Sequence, residues 1–211
     1  MNICACISGP TMKKALLQIM EANKKANFIE LRLDLIKAFN AEKLFNKAQK
    51  PVIMTMKGKS ENAFQSIKTL LDLKPDFIDI DLSLGKEKIR KIMQKNKHSK
   101  VIISIHDFNK TPSLKKLEKI QQEMLELNPD VMKIISAAKN KKDNEKIIRF
   151  LAGSRHKKKL ICFCMGSKGI ITRRISATLG FDLFYTSTGK KTAEGQILLE
   201  EARKLKEMIQ G

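Results

Sequence analysis

Aromatic residues are scarce in this chain of 211 residues, at 5%. Cysteines number four, too few in a chain of this length to read as a disulfide framework. No apolar run approaches the ~20 residues that a membrane helix needs. The opening MNICACISGPTMKK has no basic lead before a long apolar stretch, so it does not read as a signal peptide. Acidic side chains fall well short of basic ones: Asp plus Glu is 22 against 42 for Lys plus Arg, a net charge of +20. Arginine is itself sparse, since 35 of those 42 are Lys and seven are Arg. Base readout and phosphate forks favour Arg. The lysines are also spread along the chain with no aromatics among them, so no nucleic-acid partner is expected. A field of this sign would instead speed the arrival of a small anion. What is present is 42% apolar residues, enough for a sizeable core. The expectation is a globular, cytoplasmic protein with no membrane partner.

Short β-like apolar runs recur, and a helical stretch follows each. The runs begin at Ile3, Phe28, Pro51, Phe77, Val101, Val131, Leu160 and Leu183. Eight units in 211 residues leave about 26 residues each, short but sufficient for a closed (β/α)8 barrel. Strict strand–helix alternation argues for parallel strands with crossover helices. Nothing resembles an interdomain linker, so residues 1–211 are expected to form a single (β/α)8 TIM barrel. An open doubly wound sheet is the alternative, but the first turn, Ser8-Gly9-Pro10-Thr11, lacks the G-x-G-x-x-G fingerprint.

In a barrel the chemistry sits at the C-terminal ends of the strands, on inward side chains. The second strand carries Glu30, Arg32 and Asp34 at a spacing of two, which places all three on one face. They form either an inward charged network or an ion-pair ladder on an exposed edge. The fifth run ends in Ser104-Ile105-His106-Asp107-Phe108. His106 is either a satisfied core histidine or, at a strand end, an acid/base group. Lys133 interrupts Val131-Met132 and Ile134-Ile135. If it is buried, the lost hydration lowers its pKa and frees a neutral amine to attack a carbonyl. If the strand is shifted in register, it is one more surface lysine. After the seventh run comes Met165-Gly166-Ser167-Lys168-Gly169, a loop suited to an anion but without Walker A spacing. Arg173 and Arg174 follow it, as a carboxylate or phosphate clamp. The loop 186–196 reads as a lid with hydroxyl and amide donors. Two C-x-C pairs, Cys4/Cys6 and Cys162/Cys164, lack the C-x2-C knuckle. Buried thiols are expected there, and no metal.

Together these residues resemble the type I 3-dehydroquinate dehydratase family, Schiff-base lyases of the shikimate pathway. Glu30-Leu-Arg32-Leu-Asp34 is similar to the family's E-x-R-x-D. Ser104-Ile-His106-Asp-Phe108 is similar to S-x-H-D-F. Lys133 stands 27 residues beyond His106, at the place of the family's Schiff-base lysine. Met165 to Gly169 with Arg173 resembles M-x-x-x-G-x-x-x-R, and Thr192-Ala-Glu-Gly195-Gln196 resembles the lid motif S-A-P-G-Q. The departures are Lys57 in place of an arginine, with Glu61 retained after it, Thr192 in place of serine, and Glu194 in place of proline. The N-terminal hairpin that covers the barrel bottom in many relatives is also not expected.

The resemblance implies dehydration of 3-dehydroquinate to 3-dehydroshikimate with no cofactor. Lys133 would form the imine, His106 would serve as general base and then acid, and Glu61 would orient His106. Arg173 would clamp the substrate carboxylate. Glu30, Arg32 and Lys57 would place the ring hydroxyls, and Thr192 and Gln196 would close over the substrate. A homodimer is also implied. The rival readings are a class I aldolase-like lyase on a phosphorylated sugar, a basic nucleic-acid-binding protein and a degenerate barrel.

Overall fold

The computed structural model describes residues 1–189, 195 and 197–210. In chain order its elements are β1 (Ile3–Ile7), α1 (Met12–Lys25), β2 (Phe28–Arg32), α2 (Ala41–Lys47), β3 (Val52–Thr55), α3 (Glu61–Leu70), β4 (Phe77–Asp81), α4 (Lys86–Lys95), β5 (Lys100–Asp107), α5 (Leu114–Leu125), β6 (Val131–Ala137), α6 (Lys141–Gly153), β7 (Leu160–Met165), α7 (Ile170–Leu179), β8 (Phe184–Ser187), β9 (Ile197–Leu198) and α8 (Leu199–Gln210). One sheet runs β7-β6-β5-β4-β3-β2-β1-β8-β9, and every ladder in it is parallel.

Local sequence accounts for these elements. The strands are near-continuous apolar runs because both faces are covered, by helices outside and by the opposite wall inside. All five residues of β1 are buried, as are all four of β3. Five helices start at a side-chain cap: Thr11, Asn40, Ser60, Ser113 and Asn140 each accept a hydrogen bond from the backbone N–H three residues on. Each such cap contributes about 1 kcal/mol.

The core has two compartments. The larger lies between sheet and helices and includes Ile7, Ile29, Ile78 and Ile103. The smaller fills the lumen with Ile53, Ile102, Val131, Ile135, Phe163 and Tyr185. At the N-terminal ends of the strands, Phe28 and Phe77 meet edge to face at 6.1 Å, and Phe77 meets Phe181 at 6.4 Å. These rings close the bottom of the lumen. The two C-x-C pairs face opposite ways: Cys4 and Cys6 line the lumen, while Cys162 and Cys164 pack under the helices. All four are free and buried.

The expected alternation therefore holds, with two departures. The sheet curls into a TIM-barrel-like fold, but no ladder joins β7 to β8 among the described residues. At that seam the Phe181 N–H donates to the Leu160 carbonyl at 3.0 Å. The outer edge of β8, which has only four residues, is taken by β9 through Thr186–Ile197 and Ser187–Leu198. The second departure is Asp34. The chain leaves β2 after Arg32 and turns through a 3-10 segment, Leu33–Leu35, so Asp34 lies beyond the strand that was expected to carry it.

Candidate active site

The polar residues that interrupt the strands meet inside the lumen. Lys133, at the third position of β6, is 4% exposed. Its Nζ donates to Glu30 Oε1 at 3.2 Å and to Asp79 Oδ2 at 3.0 Å, and it lies 4.1 Å from the centroid of the Tyr185 ring. Glu30 comes from β2, Asp79 from β4 and Tyr185 from β8. The site is thus assembled by closing the sheet, not by any local segment.

Each carboxylate is further satisfied. Glu30 Oε1 accepts from Thr55 Oγ1 at 3.0 Å, and Glu30 Oε2 accepts from the Cys6 thiol at 2.9 Å. Asp79 Oδ1 accepts from Lys57 Nζ at 2.8 Å and from Ser104 Oγ at 2.5 Å. Lys57 Nζ also reaches Ser104 Oγ and stands 3.8 Å from Asp81. Two lysines and two fully buried carboxylates therefore alternate across the lumen. Partners of this kind are what make buried charge tolerable.

The charge on Lys133 differs from the sequence expectation. Burial does pull its pKa down, but Asp79 and Glu30 push it up by more, so it sits well above the ordinary lysine value. In the free protein Lys133 is an ammonium, shielded as expected but not neutral. The carboxylates answer in kind. Burial raises them, yet Lys133, with Arg32 at Glu30 and Lys57 at Asp79, brings both below their usual values.

His106 is two residues beyond Ser104 on β5, and Ser104 is level with Lys133 in the β5–β6 register. The imidazole therefore stands one inward position nearer the mouth than the lysine. Burial first, then the Lys57 and Lys133 cations, drive its pKa well below 6.5, so at neutral pH it is an unprotonated base. Its ring stacks on Phe108 at 5.9 Å between centroids. The expected Glu61 contact to His106 is not found among the described residues. Glu61 is the first residue of α3, directly after the Ser60 cap. Its carboxylate turns outward to Lys88 at 2.8 Å and to Gln65 at 2.8 Å. Lys57, four residues before Glu61, pairs with Asp79 and not with Glu61.

Arg173 points inward from the first turn of α7 and is 4% exposed. Its guanidinium lies 4.1 Å from the centroid of the Phe163 ring, and Nε has no hydrogen-bond partner. Burial lowers its pKa to about 10, with only the Cys6 thiol opposing. Arg174, the other half of the expected clamp, is exposed. Arg32 holds Asp34 with two hydrogen bonds, at 3.0 and 2.8 Å. Thr192 and Gln196 lie outside the described residues.

Asp79 and Tyr185 are the site residues that sequence reasoning missed. The signal for Asp79 was legible: Phe77-Ile-Asp79-Ile-Asp81 repeats the spacing of two that marked Glu30 and Arg32. Tyr185 gave only the weak signal of being the sole tyrosine.

Comparison with known proteins bears on the family and the fold. A sequence model of type I 3-dehydroquinase matches residues 3–211. The 3-dehydroquinate dehydratase of Pyrococcus abyssi is 31% identical over 211 residues, covering 95% of each chain. That of Thermococcus gammatolerans is 31% identical over 220 residues, covering 99% of each. The crystal structure of 3-dehydroquinate dehydratase from Geobacillus kaustophilus superposes with a TM-score of 0.89 at 22% identity, over 99% of this chain and 91% of that one. A type I enzyme from Clostridium difficile gives 0.88 at 25% identity, over 99% and 92%. A full-length family match, relatives of equal length and a lumen built around a buried lysine lead to one conclusion: the chain belongs to the type I 3-dehydroquinase family, lyases that dehydrate 3-dehydroquinate in the shikimate pathway.

Proposed function

We propose that this chain dehydrates 3-dehydroquinate through an imine on Lys133, with His106 moving the protons and Arg173 holding the carboxylate. The observation that supports it most is a buried lysine, set between two carboxylates, in the same lumen as a buried guanidinium with no carboxylate partner among the described residues. A buried guanidinium without a carboxylate partner among the described residues carries a desolvation cost, and a carboxylate ligand relieves it.

The raised pKa of Lys133 suits the reaction. In sum, an ammonium and a ketone give an iminium and water, so the positive charge stays on the same nitrogen. Glu30 and Asp79 stabilise it in both states. Only the attack itself needs the free amine: unprotonated His106 accepts the ammonium proton and returns it to the carbinolamine oxygen that leaves as water, so it is a free base again once the iminium has formed. The iminium then draws electrons from the neighbouring carbon, His106 removes that carbon's proton, and the β-hydroxyl leaves as water with the proton returned. A second water hydrolyses the imine and frees the enone product. Lys57 and Arg32 stand at the rim to orient ring hydroxyls, and Thr192 and Gln196 belong to the segment that would cover them. We assign Glu61 no part in this arrangement. The resemblance also supports a cytoplasmic homodimer, which sedimentation would test.

The test is to incubate the protein with 3-dehydroquinate and borohydride and to map the adduct by mass. A stable adduct on Lys133 is expected; an unmodified protein that still forms the enone overturns the scheme. A second variant probes the clamp. Arg173→Leu should raise KM about tenfold or more, because a charge-assisted bidentate bond is lost. It should unfold at the same temperature or a higher one, because a buried unpaired charge is gone. Unchanged KM would remove Arg173 from substrate binding.

A further inference from the structure

Tyr185 is 3% exposed, and its hydroxyl is buried with no hydrogen-bond partner among the described residues. A buried phenol normally finds a partner. An unsatisfied hydroxyl is a cost that phenylalanine would avoid in the same space. Two residues further along β8, on the same face, Ser187 Oγ is buried and unpartnered as well. Glu30, Asp79 and Lys57 are tied to one another and to their neighbours by hydrogen bonds, whereas the β8 wall offers hydroxyls without a partner among the described residues.

The place of that hydroxyl is specific. Lys133 Nζ sits over the ring, 4.1 Å from its centroid. The phenolic oxygen is carried on that same ring, so an oxygen formed on the carbon that Lys133 attacks arises beside a hydrogen-bond donor. Burial keeps the phenol protonated at working pH, so it can only donate toward a developing oxyanion.

We propose that Tyr185 is a further catalytic residue, whose hydroxyl donates a hydrogen bond to the substrate ketone oxygen as Lys133 adds to the carbonyl. This rests on the imine at Lys133 argued above. The nitrogen bonds to the carbonyl carbon, and the carbon–oxygen π pair moves onto oxygen. Two hydrogens of the original ammonium leave with that oxygen as water, relayed by His106, and the iminium remains. Tyr185 keeps its proton throughout.

The experiment compares the unsubstituted protein with Tyr185→Phe, which keeps the ring over Lys133 and loses only the hydroxyl. Rapid mixing with saturating 3-dehydroquinate, quenched in borohydride, gives the rate of imine formation, and thermal unfolding is followed in parallel. Imine formation in Tyr185→Phe is expected to slow about 10- to 100-fold, the usual effect of losing one hydrogen bond to a charged group. The isotope effect from deuterium at the abstracted position should shrink as imine formation becomes limiting, and the unfolding temperature should not fall. Trapping at the unsubstituted rate overturns the proposal. So does a lowered unfolding temperature with trapping unaffected, since the hydroxyl would then be structural. If the unsubstituted protein itself gives no adduct, the Lys133 scheme falls; if it traps normally and Tyr185→Phe keeps pace, only the assignment of Tyr185 falls.

Discussion

Lys133→Met should lose all turnover and all borohydride adduct, and it should also weaken the fold. The substitution keeps most of the apolar stem but leaves Glu30 and Asp79 buried without the cation between them. Removing one partner of a buried ion pair costs about 3–5 kcal/mol. Lys57 stays on Asp79 at 2.8 Å, so Glu30 carries most of the imbalance. The deficit depends on pH with a definite sign. In the unsubstituted protein both carboxylates have folded pKa values below their ordinary ones. Their contribution is therefore present above the unfolded values of about 4 and is lost as pH falls through the folded ones. In Lys133→Met the opposing term, burial, dominates at Glu30, so its carboxyl takes up a proton readily and acid relieves the strain. Urea unfolding at pH 7 and at pH 4 should show the gap between the two proteins narrowing. A gap that is constant with pH, or a variant as stable as its parent at pH 7, would mean that the carboxylates do not depend on Lys133.

His106→Ala should still trap an imine but turn over more slowly by about 10²- to 10⁴-fold, the usual contribution of a positioned acid/base. Near-normal turnover would remove His106 from the reaction. The parent protein carries a matching pH signature. Burial, Lys57 and Lys133 depress the imidazole pKa, so its base form survives as pH falls past 6.5. The acid limb of kcat/KM, which reports the free enzyme, should then lie below the ordinary histidine value. A profile already half-inhibited at pH 6.5 would contradict the electrostatics described here.

The fold was largely legible because each unit declares itself locally. A helix was expected after the first apolar run, and α1 stands there at Met12–Lys25; its Thr11 cap and apolar stripe need no distant partner. The seam between β7 and β8 was not legible, since it depends on how four residues of β8 divide their edges between β1 and β9. In the site, Lys133 stood out as a polar interruption within an apolar run and His106 as one at a strand end. The charge of Lys133 did not, because its partners lie 103 and 54 residues away in sequence. Burial, which sequence can suggest, pulls one way; the partners, which only the closed sheet supplies, pull harder. Glu61 was expected beside His106 because of its place after Lys57, but a residue that opens a helix after a serine cap follows the helix outward, here to Lys88 and Gln65. Asp79 was overlooked because its strand reads as apolar until the spacing of two is counted.

Among the described residues, the three phenylalanine rings cover the base of the reaction chamber and leave its open side at the C-terminal ends of the strands. Ketone, product and solvent must all pass the same rim, where Lys57, His106 and Phe108 stand. Water lost as the imine forms and water taken up as it is hydrolysed therefore cross the rim that the substrate crosses, so a substitution that narrows this rim should slow both entry and release.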